Sequence, residues 1–290
     1  MARVSRRGSL LAIGLVACLF AGCGSTVIPS RAPESPLAGN WLVVGSLAGL
    51  APGALGTTAP GFNLALNLQV NGSQITANLS DSYNCVNAGG AAGGRVGITQ
   101  IAADGTFTLQ SPGQLSTITF QLQGVAPQKA GETWSGTYTA NDTNPGCSPS
   151  SGTFTAVPIQ PVTGIFTGKG PLGSVGSSGS PITLTATLKQ GGAVPDSPPT
   201  NGEINSQNVL SGSLAVQGTP CFTSGTIGAT SLVLGSMIHA RVAMNDGSTV
   251  VLSGYIEDAA TTRIGPVGFL VEGGQCDKLF ITGDTILARQ

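Results

Sequence analysis

Residues 62–80 read FNLALNLQVNGSQITANLS. Leu64, Leu66, Leu68 and Val70 alternate with polar or small residues, and after the break Ile75, Ala77 and Leu79 do the same. A period of two is the signature of a strand with one buried face. Asn71-Gly72 sits between the two runs. Asn-Gly is the strongest short hairpin signal, because both central residues of a type I′ turn need positive φ. The stretch is therefore a β-hairpin, and its pattern recurs along the chain. Asp104-Gly105 separates RVGITQIAA from TFTLQ, and Asp246-Gly247 separates HARVAM from STVVLSGYI. Alternating runs near 39–47, 62–70, 73–80, 95–102, 106–111, 117–123, 132–140 and 151–158 predict about eight strands before residue 160.

The composition agrees. Only 9% of residues are charged, 40% are apolar and 44 of 290 are glycine. Low charge with ample apolar content argues against disorder, and Gly/Thr richness suits short strands joined by tight turns. Beyond the first 23 residues no long stretch repeats apolar positions at helical spacing. The expected class is all-β.

The chain repeats itself. Leu37-Ala38-Gly39-Asn40-Trp41 is echoed 125 residues on by Val162-Thr163-Gly164-Ile165-Phe166. FNLALNLQV at 62–70 matches ITLTATLKQ at 182–190, and ITFQLQG at 118–124 matches TVVLSG at 249–254. The closing runs are SGTFTAV at 151–157 and KLFITGDTIL at 278–287. Two tandem antiparallel modules of about eight strands each follow, 37–161 and 162–290, joined by the proline-stiffened Pro158-Ile159-Gln160-Pro161. Eight short strands suit a small up-and-down barrel, with a two-sheet β-sandwich as the alternative. The opening Gly-x-Trp, the consecutive hairpins and a last strand able to pair with the first are similar to lipocalin-like barrels. That likeness is architectural and covers no catalytic motif.

The leader, MARVSRRGSLLAIGLVACLFAGC, places Arg3, Arg6 and Arg7 before an uncharged run from Gly8 to Phe20, then Ala21-Gly22-Cys23. The apolar run is too short for a stable membrane span and reads as a secretory signal over 1–22. Its end resembles the lipobox of bacterial lipoproteins. Cys23 is the preferred lipid attachment site, although Phe20 stands where the family has Leu. Cys18, in Leu15-Val16-Ala17-Cys18, is the alternative. The resemblance implies palmitate-type acylation, anchoring in the cell envelope and, with Gly24 rather than Asp after Cys23, the outer membrane. Residues 23–36 are the anchor and a Pro/Ser-rich tether with about 40 Å of reach.

Cys85, Cys147, Cys221 and Cys276 remain, an even number for an oxidising compartment. They recur at matching landmarks of the two modules, which pairs Cys85 with Cys147 and Cys221 with Cys276. Each bridge closes a loop of about 60 residues, worth about 4 kcal/mol in chain entropy.

Candidates for chemistry are few. Removing the leader leaves nine basic and thirteen acidic residues, a net charge of −4, so no basic face awaits nucleic acid. His239 is the single histidine and alternates with Met237, Arg241 and Ala243, which reads as an outward strand position. A zinc site or a Ser-His-Asp arrangement has too little to work with. Gly168-Lys169-Gly170-Pro171-Leu172-Gly173 matches the dinucleotide fingerprint but lacks the helix that must follow it. Glu257 and Asp258 are adjacent and would point to opposite faces of a strand, unlike a glycosidase pair. Asn141-Asp142-Thr143-Asn144 is rich in oxygen donors for calcium but reads as a polar hairpin loop. Asn71, Asn78 and Asn141 match the glycosylation pattern, which a bacterial leader makes idle. Trp41, Trp134, Tyr138, Phe166 and Phe269 recur at strand positions and either fill the barrels or line a ligand cavity.

No enzyme activity, cofactor or metal is expected. The expected role is a lipid-anchored envelope protein that binds a small apolar ligand or an envelope partner. A structural or adhesive surface protein is the alternative, and a hydrolase with an acidic site a weaker one.

Overall fold

The structure is a computed structural model that describes residues 35–47, 62–81, 95–110, 118–142, 150–174, 179–193, 205–281 and 285–290. Cys18, Cys23, Cys85, Cys147, Thr143 and Asn144 lie outside the described residues. Among the described residues there is no helix.

The first sheet has eight strands: β1 (Gly39–Leu47), β2 (Phe62–Asn71), β3 (Gln74–Asp81), β4 (Arg95–Gln100), β5 (Thr106–Gln110), β6 (Ile118–Val125), β7 (Trp134–Asp142) and β8 (Ser150–Pro158). Their order is β4-β3-β2-β1-β8-β7-β6-β5, every pair antiparallel. This is an up-and-down meander rolled until β8 meets β1, with Trp41 opposite Pro158 and Leu47 opposite Gly152. β2 and β3 form the expected hairpin, but its two-residue turn is Gly72-Ser73 rather than Asn71-Gly72: Asn71 stays in β2 opposite Gln74, and of the three only Gly72 takes positive φ, 61°. Closure is incomplete. β4 runs alongside β5, but no ladder is formed between them. Among the described residues the backbone bond Ala102 N–H to Thr106 C=O, 2.8 Å, ties the turn that joins them.

The second sheet begins with β9 (Thr163–Gly173), β10 (Ser180–Gln190), β11 (Leu210–Gln217) and β12 (Ser224–Ile227). It continues with β13 (Leu232–Leu234), β14 (Met237–Met244), β15 (Thr249–Tyr255), β16 (Arg263–Ile264), β17 (Gly268–Glu272), β18 (Phe280–Ile281) and β19 (Leu287–Arg289). The ring β9-β10-β11-β12-β14-β15-β17-β18 returns to β9. This second barrel is closed by hydrogen bonds. Its last strand is broken: β18 pairs with Leu172 and Gly173 of β9, and β19 resumes the pairing at Phe166 and Thr167. The short β13 and β16 pair with β14 and β19 outside the ring.

The expected all-β fold of two tandem eight-stranded barrels is what the chain adopts, and the sandwich alternative falls away because the sheets roll up. The two landmark glycines explain the shared opening. Gly39 and Gly164 take φ 130° and 136°, a region L-residues avoid. Each sets a buried aromatic inward two residues later, Trp41 at 1% and Phe166 at 0% exposure. Trp41 Nε1 donates to Leu37 O at 2.9 Å, and the Arg289 guanidinium lies 5.5 Å from the Phe166 ring centre.

The barrels pack side to side within one compact unit, Glu34–Gln290. Leu42, Val44, Val157 and Ile159, on the outer side of β1 and β8 or just beyond, join the second barrel's apolar cluster. A polar clasp sits beside them. Asn40 Oδ1 accepts from Asn67 Nδ2 at 2.8 Å and from the Gly235 backbone N–H at 2.9 Å. The connection between barrels is tied as well: Gln160 N–H donates to Ala259 O, and Thr261 Oγ1 donates to Gln160 O at 2.6 Å.

Candidate functional site

The interior of the first barrel is built around Trp134. Its indole leans from β7 across Gly124 of β6, where an added Cβ would stand 3.0 Å from the ring. Directly opposite Gly124 on β5 is Phe107. The indole meets Phe107, Phe154 and Trp41 edge to face, with ring centres 5.2, 5.1 and 5.9 Å away. Leu66, Leu68, Ile75, Leu109, Leu122 and Tyr138 complete the cluster. Edge-to-face packing places ring hydrogens against π faces and is favourable beyond area burial alone. Trp41 spends its N–H on Leu37. Trp134 is 4% exposed, and its buried Nε1 has no hydrogen-bond partner. A buried donor without an acceptor costs about 1–3 kcal/mol. The aromatic cluster lines this part of the barrel and leaves Trp134 Nε1 without an acceptor. That atom lies in a group that touches β5, the strand bordering the unladdered seam.

The second barrel is packed by Leu184, Ala186, Leu214, Val242, Val250 and Phe269, among others. Phe222 enters the core from the β11–β12 connection, 6.3 Å from Phe269 between ring centres. The disulfide Cys221–Cys276, with Cα atoms 5.9 Å apart, ties that connection to the one between β17 and β18. Asn245 reinforces the same end, its Oδ1 accepting from the Thr223 and Ser224 N–H groups at 3.1 and 3.4 Å.

The other sequence candidates are dispersed. Gly168 to Gly173 lie inside β9 rather than in a phosphate loop. The glycines answer a steric need: side chains at Gly168 and Gly170 would strike Ile286 and Thr285, where the broken last strand crosses β9. His239 is on the outer face of β14, half-buried. Burial first and Arg241 second push its pKa below the ordinary histidine value, with Glu272 opposing. Arg241 pairs with Glu272 at 2.6 Å on the exposed surface. Glu257 and Asp258 fall in the turn after β15 and serve separate partners. Glu257 faces Arg263 at 3.1 Å, and Asp258 accepts from the Thr262 N–H and hydroxyl. Asn141 and Asp142 end β7, opposite Thr119 and Ile118. Asn71 is at the first hairpin, and Asn78 pairs with Asn67 and Arg95 across β3. Among the described residues no cluster of three His, Cys, Asp or Glu could hold a metal ion.

Sequence reading named Trp134 without seeing its unpaired nitrogen. The available signal was Gly124, a glycine at an inward position of an alternating run, which makes room for a large ring from a neighbouring strand.

No protein-family model and no curated protein matches the chain. Among solved structures, a protein of unknown function from the DUF3598 family of Nostoc punctiforme PCC 73102 is similar at 8% identity. The match covers 88% of this chain and 97% of that one with a TM-score of 0.26.

Proposed function

We propose that this chain is an exported lipoprotein, acylated at Cys23 and held in the bacterial envelope, whose first barrel carries a small apolar ligand without catalysing a reaction. The observation that carries the reading is the asymmetry of the barrels. The second is ringed by hydrogen bonds and cross-tied by a disulfide. The first, equally apolar inside, has no ladder between β4 and β5. The described acids and the histidine are scattered over the surface in turns and ion pairs, which supports a binding role over a hydrolytic one.

Two further elements belong to the proposal. The acyl chains seat the protein on the outer membrane, with residues 24–36 as tether. Cys85 pairs with Cys147, because Cys85 falls between the third and fourth strands and Cys147 between the seventh and eighth, as Cys221 and Cys276 do in the second barrel.

Metabolic labelling with a palmitate analogue in a bacterial host tests the anchor. Label on the wild type that disappears in Cys23→Ser and persists in Cys18→Ser supports it. The reverse pattern moves the anchor to Cys18, and unlabelled wild type refutes acylation. Solvent extraction of the purified chain tests the cargo: a non-covalent apolar molecule supports the reading, and an empty protein that takes up no apolar probe refutes it.

A further inference from the structure

We infer that the first barrel binds an uncharged apolar molecule carrying one hydrogen-bond acceptor, an ester or ketone, which enters between β4 and β5 and accepts from Trp134 Nε1. The inference rests on the ligand-carrying reading above and names the ligand's chemistry.

Three observations converge. The first is the unsatisfied donor. Trp134 Nε1 is sealed from solvent and bonded to nothing, while the neighbouring indole of Trp41 is satisfied by Leu37 O. Buried polar atoms are nearly always paired, so an orphan in the middle of a core points to a partner that is not part of the chain. The second is access. Trp134 reaches across Gly124 to Phe107 on β5. On its far side β5 has no ladder partner, because β4 and β5 are tied only at their joining turn among the described residues. Parting these strands breaks no ladder and leads to the Phe107 ring and the indole behind it. The third is charge. Among the described residues no lysine or arginine is buried. A carboxylate or phosphate brought inside would have no cation to meet it, and an unpaired buried charge is prohibitively costly. A single neutral N–H suits a carbonyl. The aromatic and leucine walls suit an alkyl chain.

The test uses the full chain. Methyl octanoate, nonane and octanoate at pH 8 are titrated into wild type and Trp134→Phe. Both tryptophans of the chain belong to this cluster, so intrinsic emission reports on this barrel, and Trp41 still reports in the variant. Phenylalanine keeps an aromatic ring at this position but removes the donor, and circular dichroism checks that the fold persists. The expected result is one methyl octanoate per chain, octanoate bound much more weakly, and a loss of about tenfold in ester affinity in Trp134→Phe with nonane unchanged. Tightest binding of octanoate overturns the inference, as does an equal effect of the substitution on ester and alkane. Either result leaves the ligand-carrying reading standing. Failure of every probe to bind wild type overturns both. The wild-type comparison of ester with carboxylate does not depend on the variant's folding.

Discussion

Replacing Asn40 by alanine tests how the two barrels are joined. Asn40 is 6% exposed, and its Oδ1 accepts one bond from Asn67 Nδ2 within the first barrel and one from Gly235 N–H in the second. Alanine removes the shared acceptor and leaves two buried donors unpaired. At about 1.5 kcal/mol for each orphaned group, the loss is about 3 kcal/mol. Asn67→Ala removes one donor but leaves Asn40 bonded to Gly235, so it costs about half as much. The assay is urea unfolding followed by tryptophan emission and by far-ultraviolet circular dichroism. Emission reports the first barrel alone, because both tryptophans lie in its core, whereas dichroism reports both barrels. In wild type the two transitions are expected to coincide. In Asn40→Ala the emission midpoint falls and separates from the dichroism curve, since the apolar contact through Leu42 and Ile159 couples the barrels less tightly without the polar clasp. A cost below about 0.5 kcal/mol, or Asn67→Ala as damaging as Asn40→Ala, would refute the reasoning.

Other outcomes follow from particular residues. Gly39→Ala forces an L-residue to φ 130° and destabilises by about 1–3 kcal/mol by urea titration, although the space for a Cβ is open. Removing the bridge with Cys221→Ser and Cys276→Ser lowers stability by about 4 kcal/mol for a sequence separation of 55, measured under oxidising conditions. Asp104 and Asp246 each accept from the hydroxyl and N–H two residues on, Thr106 and Ser248, and those bonds hold both carboxyls below the ordinary aspartate value. A lowered folded pKa means the unfolded chain takes up the proton first. The stabilisation is therefore present above about pH 4 and lost as pH falls through the folded value, and the double Asn variant shows a flatter melting temperature against pH below 4. His239 follows the same sign: its lowered pKa gives stability that is full above about pH 6.5 and declines below it, and one imidazole titration by nuclear magnetic resonance shows the depressed midpoint directly.

The strands of the first barrel were legible because each alternating run ended at a turn whose chemistry could be read. Gly72 and Gly105 both take positive φ, but only the first turn closes a laddered hairpin, β2 with β3; Asp104-Gly105 turns the chain between β4 and β5 without pairing them. The second barrel was harder where local signals are weak. β13, β16 and β18 are two or three residues long and exist because of what they lie against, not because of their own pattern. Gly168 and Gly170 illustrate the limit well. In sequence they form part of a nucleotide-binding fingerprint; in space they are flat places on β9 that let Thr285 and Ile286 pass. Asn40 and Asn67 look like ordinary polar strand residues until the second barrel is laid against them. The candidate site was half visible: alternation placed Trp134 on a strand, but an unpaired nitrogen and a missing ladder are properties of three-dimensional neighbours.

The most direct test of the central claim is native mass spectrometry of the full chain, purified from a bacterial host in mild detergent and compared before and after unfolding. The account predicts one uncharged apolar molecule per chain, held without a covalent bond and released when the first barrel unfolds. A chain that carries nothing and accepts no apolar probe would contradict it.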